Sequence, residues 1–143
     1  MGYSSCECLE VWRRACDLAV TICRESAGVR QFALRTQIQR SAISVPSNIA
    51  EGSERDSAAD FIRFLRIAKG SIAELRTQIL IARRLDQWGQ DQFILADREA
   101  REIGSMIQGL IKYLTNGPAT MKEAGPEDAT RPPDSEKIFK TQY

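Results

Sequence analysis

The stretch SAADFIRFLRIAKGSIAELRTQILIARRLDQWG, residues 57–89, decides the fold. Phe61, Leu65, Ala68, Ile72, Leu75, Ile79 and Ala82 step by four and three residues in strict alternation. A helix turns once in about 3.6 residues, so this spacing keeps all seven side chains on one face. Ser57 with Asp60 three residues later has the form of a capping box, with Asp in place of the usual Glu or Gln. Gly89 offers a stop. The pattern predicts a helix over residues 57–87, roughly 45 Å long at about 1.5 Å per residue. An adjoining face carries Phe64, Ile67, Ser71, Glu74, Gln78, Ile81 and Leu85, apolar at its ends and polar in its middle. One apolar face is enough for a four-helix monomer. The second either places this helix centrally in the bundle or forms a subunit contact through Phe64, Ile67, Ile81 and Leu85, and Trp12 and Trp88 can serve either purpose.

Working outward, three more segments show helical spacing. Over residues 9–26 the apolar positions are Leu9, Trp12, Cys16, Ala19 and Cys23, and Gly28 permits a turn. Over residues 29–51, Leu34, Ile38, Ala42, Val45 and Ile49 share a face. Pro46 lies inside that pattern, lacks an amide hydrogen and clashes with the preceding turn, so a kink or break is expected over residues 43–46. Gly52 suits a left-handed stop. Over residues 91–114, Phe93, Ala96, Ala100, Ile103, Ile107, Leu110 and Leu114 repeat the three–four step, and Gly117 and Pro118 end it. The expected architecture is all-α, an antiparallel up-down-up-down four-helix bundle with its second helix kinked at Pro46. Pro46, Gly52 and Gly89 argue against one long coiled coil, because they cut the pattern into lengths that fold back. The expected organisation is a flexible start over residues 1–8, the bundle over 9–116, and a largely disordered tail over 117–143 that includes Pro126, Pro132 and Pro133.

Composition narrows the chemistry. The 143 residues are 43% hydrophobic and 27% charged, enough for one domain with its own core. The absence of histidine removes Ser-His-Asp and Cys-His catalysis and most transition-metal sites. Cys16 and Cys23 read as reduced core thiols, and Cys6 and Cys8 lack the second pair that a zinc site needs. No metal and no cofactor is therefore expected. No stretch is apolar for long enough to span a membrane, so a cytoplasmic, reducing location is expected. The net charge is only +1, but it is uneven: between Gly28 and Leu85 there are ten basic and five acidic residues. With Phe61 and Leu65 at d and a of a heptad, Lys69, Arg76 and Arg83 fall at e and Arg66 at b. Together with Arg63 and Arg84 they are the nucleic-acid-binding candidates. This ridge has three readings: salt bridges between helices or subunits, phosphate contacts, or plain solubility.

The segment SAISVPSNIAEG, residues 41–52, places a proline among three serines and an asparagine. Pro46 frees the Ala42 carbonyl, and nearby polar side chains can satisfy exposed backbone groups. The residues expected in a structural polar network are Ser47, Asn48, Glu51, Ser71 and Glu74, with Gly70 allowing close backbone approach. A small-molecule or active site lined by Glu51 and Glu74 is the alternative. No nucleophile–base pair accompanies those carboxylates, so no catalytic residue is assigned.

Three stretches, LEVWRRACDLAVTI (9–22), TQIQRSAISVPSNIAEGSER (36–55) and DFIRFLRIAKGSIAELRTQILIARRL (60–85), closely resemble the bacterial four-helix bundle protein family, also called the ribosomal S23 or 23S rRNA intervening-sequence protein family. The resemblance covers residues 9–114. It implies an up-down bundle assembling as a ring-shaped homopentamer, and no enzymatic activity. The family is related to the accessory variability proteins of diversity-generating retroelements, which bind a reverse transcriptase and nucleic acid. What this implies here is a non-enzymatic homo-oligomer that acts as a nucleic-acid-associated accessory factor, contacting RNA or DNA and a reverse transcriptase through a basic surface. A protein–protein scaffold with no nucleic-acid role is the alternative.

Overall fold

A computed structural model describes residues 9–117, and within them the chain forms four helices: α1 (Glu10–Glu25), α2 (Phe32–Ser53), α3 (Ala58–Arg84) and α4 (Gln90–Asn116). The expected behaviour of residues 1–8 and of the tail beyond Gly117 lies outside the described residues, as do Cys6 and Cys8. Each helix packs on its two neighbours in chain order, α4 closing on α1, and the diagonal pairs do not meet. This is the expected antiparallel four-helix bundle. Its centre is filled by Ile22, Ile38, Val45, Ile49, Leu65, Leu75, Ile79, Ile103 and Ile107, all shielded from solvent.

The seven-residue stripe of α3 is buried throughout, as its spacing requires. Ser57 caps the helix, its Oγ accepting the Asp60 amide at 3.1 Å. The stop differs from the expected one. Asp86 takes φ 56°, Gln87 donates its amide to the Ala82 carbonyl at 2.9 Å, and Asp86 donates its own to the Arg83 carbonyl at 3.0 Å. That pair of bonds is a Schellman ending with Asp in the left-handed position. Gly89 instead precedes α4 in an extended conformation.

On α1 the expected stripe is displaced by one residue. Val11, Ala15, Leu18 and Ile22 are buried, with Ala19, while Leu9, Trp12, Cys16 and Cys23 sit at the core margin. α1 touches both α2 and α4, so two stripes are covered, and the aliphatic one takes the middle. Cys16 and Cys23 are accordingly half-buried rather than core thiols. On α4 the stripe also drifts: Ile111 is buried near the end, where Leu110 and Leu114 are only partly covered.

α2 runs through Pro46 as one 22-residue helix, so of the kink or break expected over residues 43–46 the break does not occur, and no kink is shown there. An interior proline costs about 3 kcal/mol. Burial of Val45, Pro46 and Ile49 offsets that cost, each large aliphatic side chain contributing about 1.5–3 kcal/mol. Local donors reinforce the turn before it: Ser47 Oγ reaches the Ile43 carbonyl and Asn48 Nδ2 the Ser44 carbonyl, each at 2.8 Å. Gly52 is not a left-handed stop either, since it lies inside α2. Its role is proximity. A Cβ there would come within 2.7 Å of Phe64 Cβ and 2.8 Å of Phe61 Cδ2.

At the opposite end of the bundle, Glu25 closes α1 with Oε2 enclosed and unpartnered among the described residues. Burial penalises its charged form and pushes its pKa up. A carboxyl raised in the folded state costs stability once pH exceeds its unfolded value, and costs nothing when both states are protonated. Glu25→Gln is therefore expected to raise the melting temperature at pH 7. The gain should vanish below about pH 4, where Glu is protonated in either state. Thermal melts of both proteins across that range check it.

Candidate functional site

Two features of α3 stand out: the seam it makes with α2, and its row of cations. The seam follows from antiparallel packing. Gly52 meets the Phe61–Phe64 turn, Ser44 Oγ and Ser71 Oγ share a hydrogen bond at 2.8 Å, and Ser41 Oγ lies 3.5 Å from Glu74 Oε2. Asn48 Nδ2 also donates to Ser44 Oγ at 2.9 Å. Ser71 Oγ, besides its partner across the seam, reaches the Ile67 carbonyl at 3.2 Å. The result is an open polar groove lined by Gln37, Arg40, Ser41, Ser44, Ser71, Glu74 and Gln78.

Of the five residues expected in a polar network, the groove region brings together Asn48, Ser71 and Glu74. Ser47 is exposed and bonds only its own helix, and Glu51 is exposed and pairs with Arg55 at 3.1 Å. Glu51 and Glu74 thus do not converge on one pocket. Gly70 is exposed, and a methyl group there would meet nothing within 4 Å, so no neighbouring backbone approaches it. Sequence reasoning leaves Gln37, Arg40, Ser41, Ser44 and Gln78 out of that network. A signal for them exists: positions 37, 41, 44 and 48 step four, three, four, which is the α2 counterpart of the Ser71–Glu74–Gln78 stripe.

The e-position cations all turn toward α4. Lys69 Nζ donates to Gln108 Oε1 at 2.7 Å, Arg76 Nε to Asp97 Oδ1 at 2.8 Å, and Arg83 Nε to Gln90 Oε1 at 2.8 Å. Arg76 is only 9% exposed, so it cannot meet a ligand, and Asp97 also holds Arg101 at 3.3 Å. Of the three readings of the ridge, stitching between helices is what these contacts do. Arg63, Arg66 and Arg84 stay exposed. Arg63 lies over the Phe64 ring at 5.0 Å, with Arg55 over the same ring at 4.8 Å. A cation over an aromatic face is attracted to it. Phe64 is thereby only 8% exposed and is no longer available as an interface residue. Ile67, Ile81 and Leu85 remain so, at 47%, 45% and 44% exposure.

α1 and α4 carry a clasp for which the sequence offers no pairing signal. Arg14 Nε and Nη2 grip Glu99 at 2.8 and 2.7 Å, and Nη2 also meets Glu102. The Arg14 hydrogen bond holds the Glu99 carboxyl below the usual range, and the two carboxylates raise the Arg14 pKa. Among the described residues no three His, Cys, Asp or Glu side chains are grouped to hold a metal ion. Among them, too, no helix is long and apolar enough to cross a membrane.

The family model for the 23S rRNA-intervening sequence protein matches residues 7–109, most of the chain. The chain belongs to that family. A solved structure of similar fold is a protein of unknown function from the S23 ribosomal protein family of Bacteroides thetaiotaomicron. It is 26% identical, superposes with a TM-score of 0.69, and the match covers 71% of this chain and 98% of that one. No curated protein matches. The region that matches the family takes in the whole α2–α3 seam and all six candidate cations.

Proposed function

We propose that this chain is a self-assembling, non-enzymatic bundle that works as a nucleic-acid-associated accessory factor in the cytoplasm. The observation that carries self-assembly is the exposed apolar series Ile67, Ile81 and Leu85 on α3, joined by Ile43 on α2 at 50% exposure. Such a series on a charged bundle is surface kept for a partner. A homopentameric ring is the form that the family resemblance implies. Nucleic-acid contact falls to the exposed cations Arg63 and Arg66, with Arg84 at the α3 end. Phosphate contacts of this kind are electrostatic and indifferent to sequence. A reverse transcriptase is the protein partner that the same resemblance implies.

Solution mass and salt-dependent RNA binding test this together. Wild-type binding is expected to fall by about tenfold or more between about 50 and about 200 mM salt, and the Arg63→Glu/Arg66→Glu variant to lose it while keeping its mass. Failure of the wild type to bind RNA or DNA at low salt rejects the nucleic-acid role. A protein scaffold without nucleic acid is the second reading. It is favoured by the use of Lys69, Arg76 and Arg83 inside the protomer, which takes half of the candidate ridge away from phosphate.

A further inference from the structure

The α2–α3 groove is incomplete within one protomer. Gln78 Oε1 is enclosed and receives no hydrogen bond from the described residues. Buried acceptors in folded proteins nearly always have a donor. One helical turn earlier on the same face, Glu74 is exposed, forms no ion pair among the described residues, and has only the long contact from Ser41. The lone carboxylate accepts a cation with several N–H groups, a guanidinium supplies them in a planar fork, and Gln78, only partly buried, can turn its amide oxygen out to the same group. The groove is open, so that group comes from outside the bundle. Ile67 and Ile81 lie on the same stripe, just before and just after the polar stretch, and both are half exposed. A guest that presents one basic side chain within an apolar surround is a protein surface. A nucleic acid would bring phosphates against Glu74.

We propose that a neighbouring copy of this chain seats an arginine in the groove, on Glu74 and Gln78, with its apolar side chains on Ile67 and Ile81 at either end. This rests on the self-assembly reading above and locates its contact. The chain carries the matching half. Arg24 and Arg98 are exposed and form no ion pair among the described residues. Arg40, on the facing wall, makes no ion pair with Glu74 and can take an acidic group of the same neighbour.

Native mass and sedimentation of the full chain test the proposal. Glu74→Arg and the double variant Ile67→Asp/Ile81→Asp are both expected to weaken association by about tenfold or more, with Glu74→Gln intermediate. Circular dichroism should show unchanged helix content, because all three positions face solvent or the groove. If the wild type is an oligomer and both variants keep its mass, the groove is not the contact and self-assembly stands. If the wild type runs as a protomer at its highest soluble concentration, self-assembly and the groove contact fall together.

Discussion

Gly52→Ala will destabilise the bundle by about 2 kcal/mol, and Gly70→Ala will stabilise it by about 0.5–1 kcal/mol. Gly70 sits in the interior of α3, where alanine gains about 1 kcal/mol from backbone propensity, and Gly52 in the last turn of α2, where the gain is smaller. Surroundings set the sign. At Gly52 a methyl would fall 2.7 Å from Phe64 Cβ and 2.8 Å from Phe61 Cδ2, with the Phe61 carbonyl at 3.3 Å. None of these can yield as the end of a long chain can, because Cβ is fixed to the α3 backbone and Phe61 is buried. α2 and α3 would have to separate at this contact, and overpacking of that kind costs about 1–3 kcal/mol, occasionally more. Gly70 has nothing within 4 Å, so only the propensity gain remains. Chemical denaturation of the two variants checks the opposite signs, and equal shifts would refute the close approach at Gly52.

Asp97→Ala will cost about 3 kcal/mol, while the double change Arg76→Met/Asp97→Leu will cost much less. Arg76 and Asp97 pair at 2.8 Å with side chains 10% and 12% exposed, bridging α3 and α4. Removing the carboxylate alone leaves a nearly buried guanidinium without its Asp97 counter-charge. Removing both charges removes their desolvation as well, and apolar side chains of similar volume fill the space. Arg101 also loses its 3.3 Å contact in either variant, so the comparison isolates the buried pair. Urea melts of the wild type, the single variant and the double variant decide it. A double variant as unstable as the single one would place the cost in lost packing rather than in the lost counter-charge.

How far these features are legible in the sequence varies with the physics that makes them. The α3 stripe can be read directly, because seven apolar positions in unbroken three–four alternation fix one face as buried. The α1 stripe cannot, because Trp12, Cys16 and Cys23 alternate as well as Val11, Ala15, Leu18 and Ile22, and only the positions of α2 and α4 choose between them. Proline and glycine carry strong local preferences. At Pro46, Gly52 and Gly89 those preferences are overruled: helix continuation costs less than losing core burial, and Asp86 takes the left-handed turn.

The sequence alone determined that there are four helices, that α3 is the organising one, and that no histidine of this chain can take part in catalysis, since period, length and composition are properties of the chain itself. Tertiary structure decided which cations stitch the helices together and which stay exposed. Lys69, Arg76 and Arg83 share a heptad position, and nothing in that spacing says that Gln108, Asp97 and Gln90 wait opposite them. It decided likewise that Glu74 and Gln78, not Glu51, share the α2–α3 groove. Contact between residues far apart in the chain is set by helix register, and register is fixed only when the helices pack.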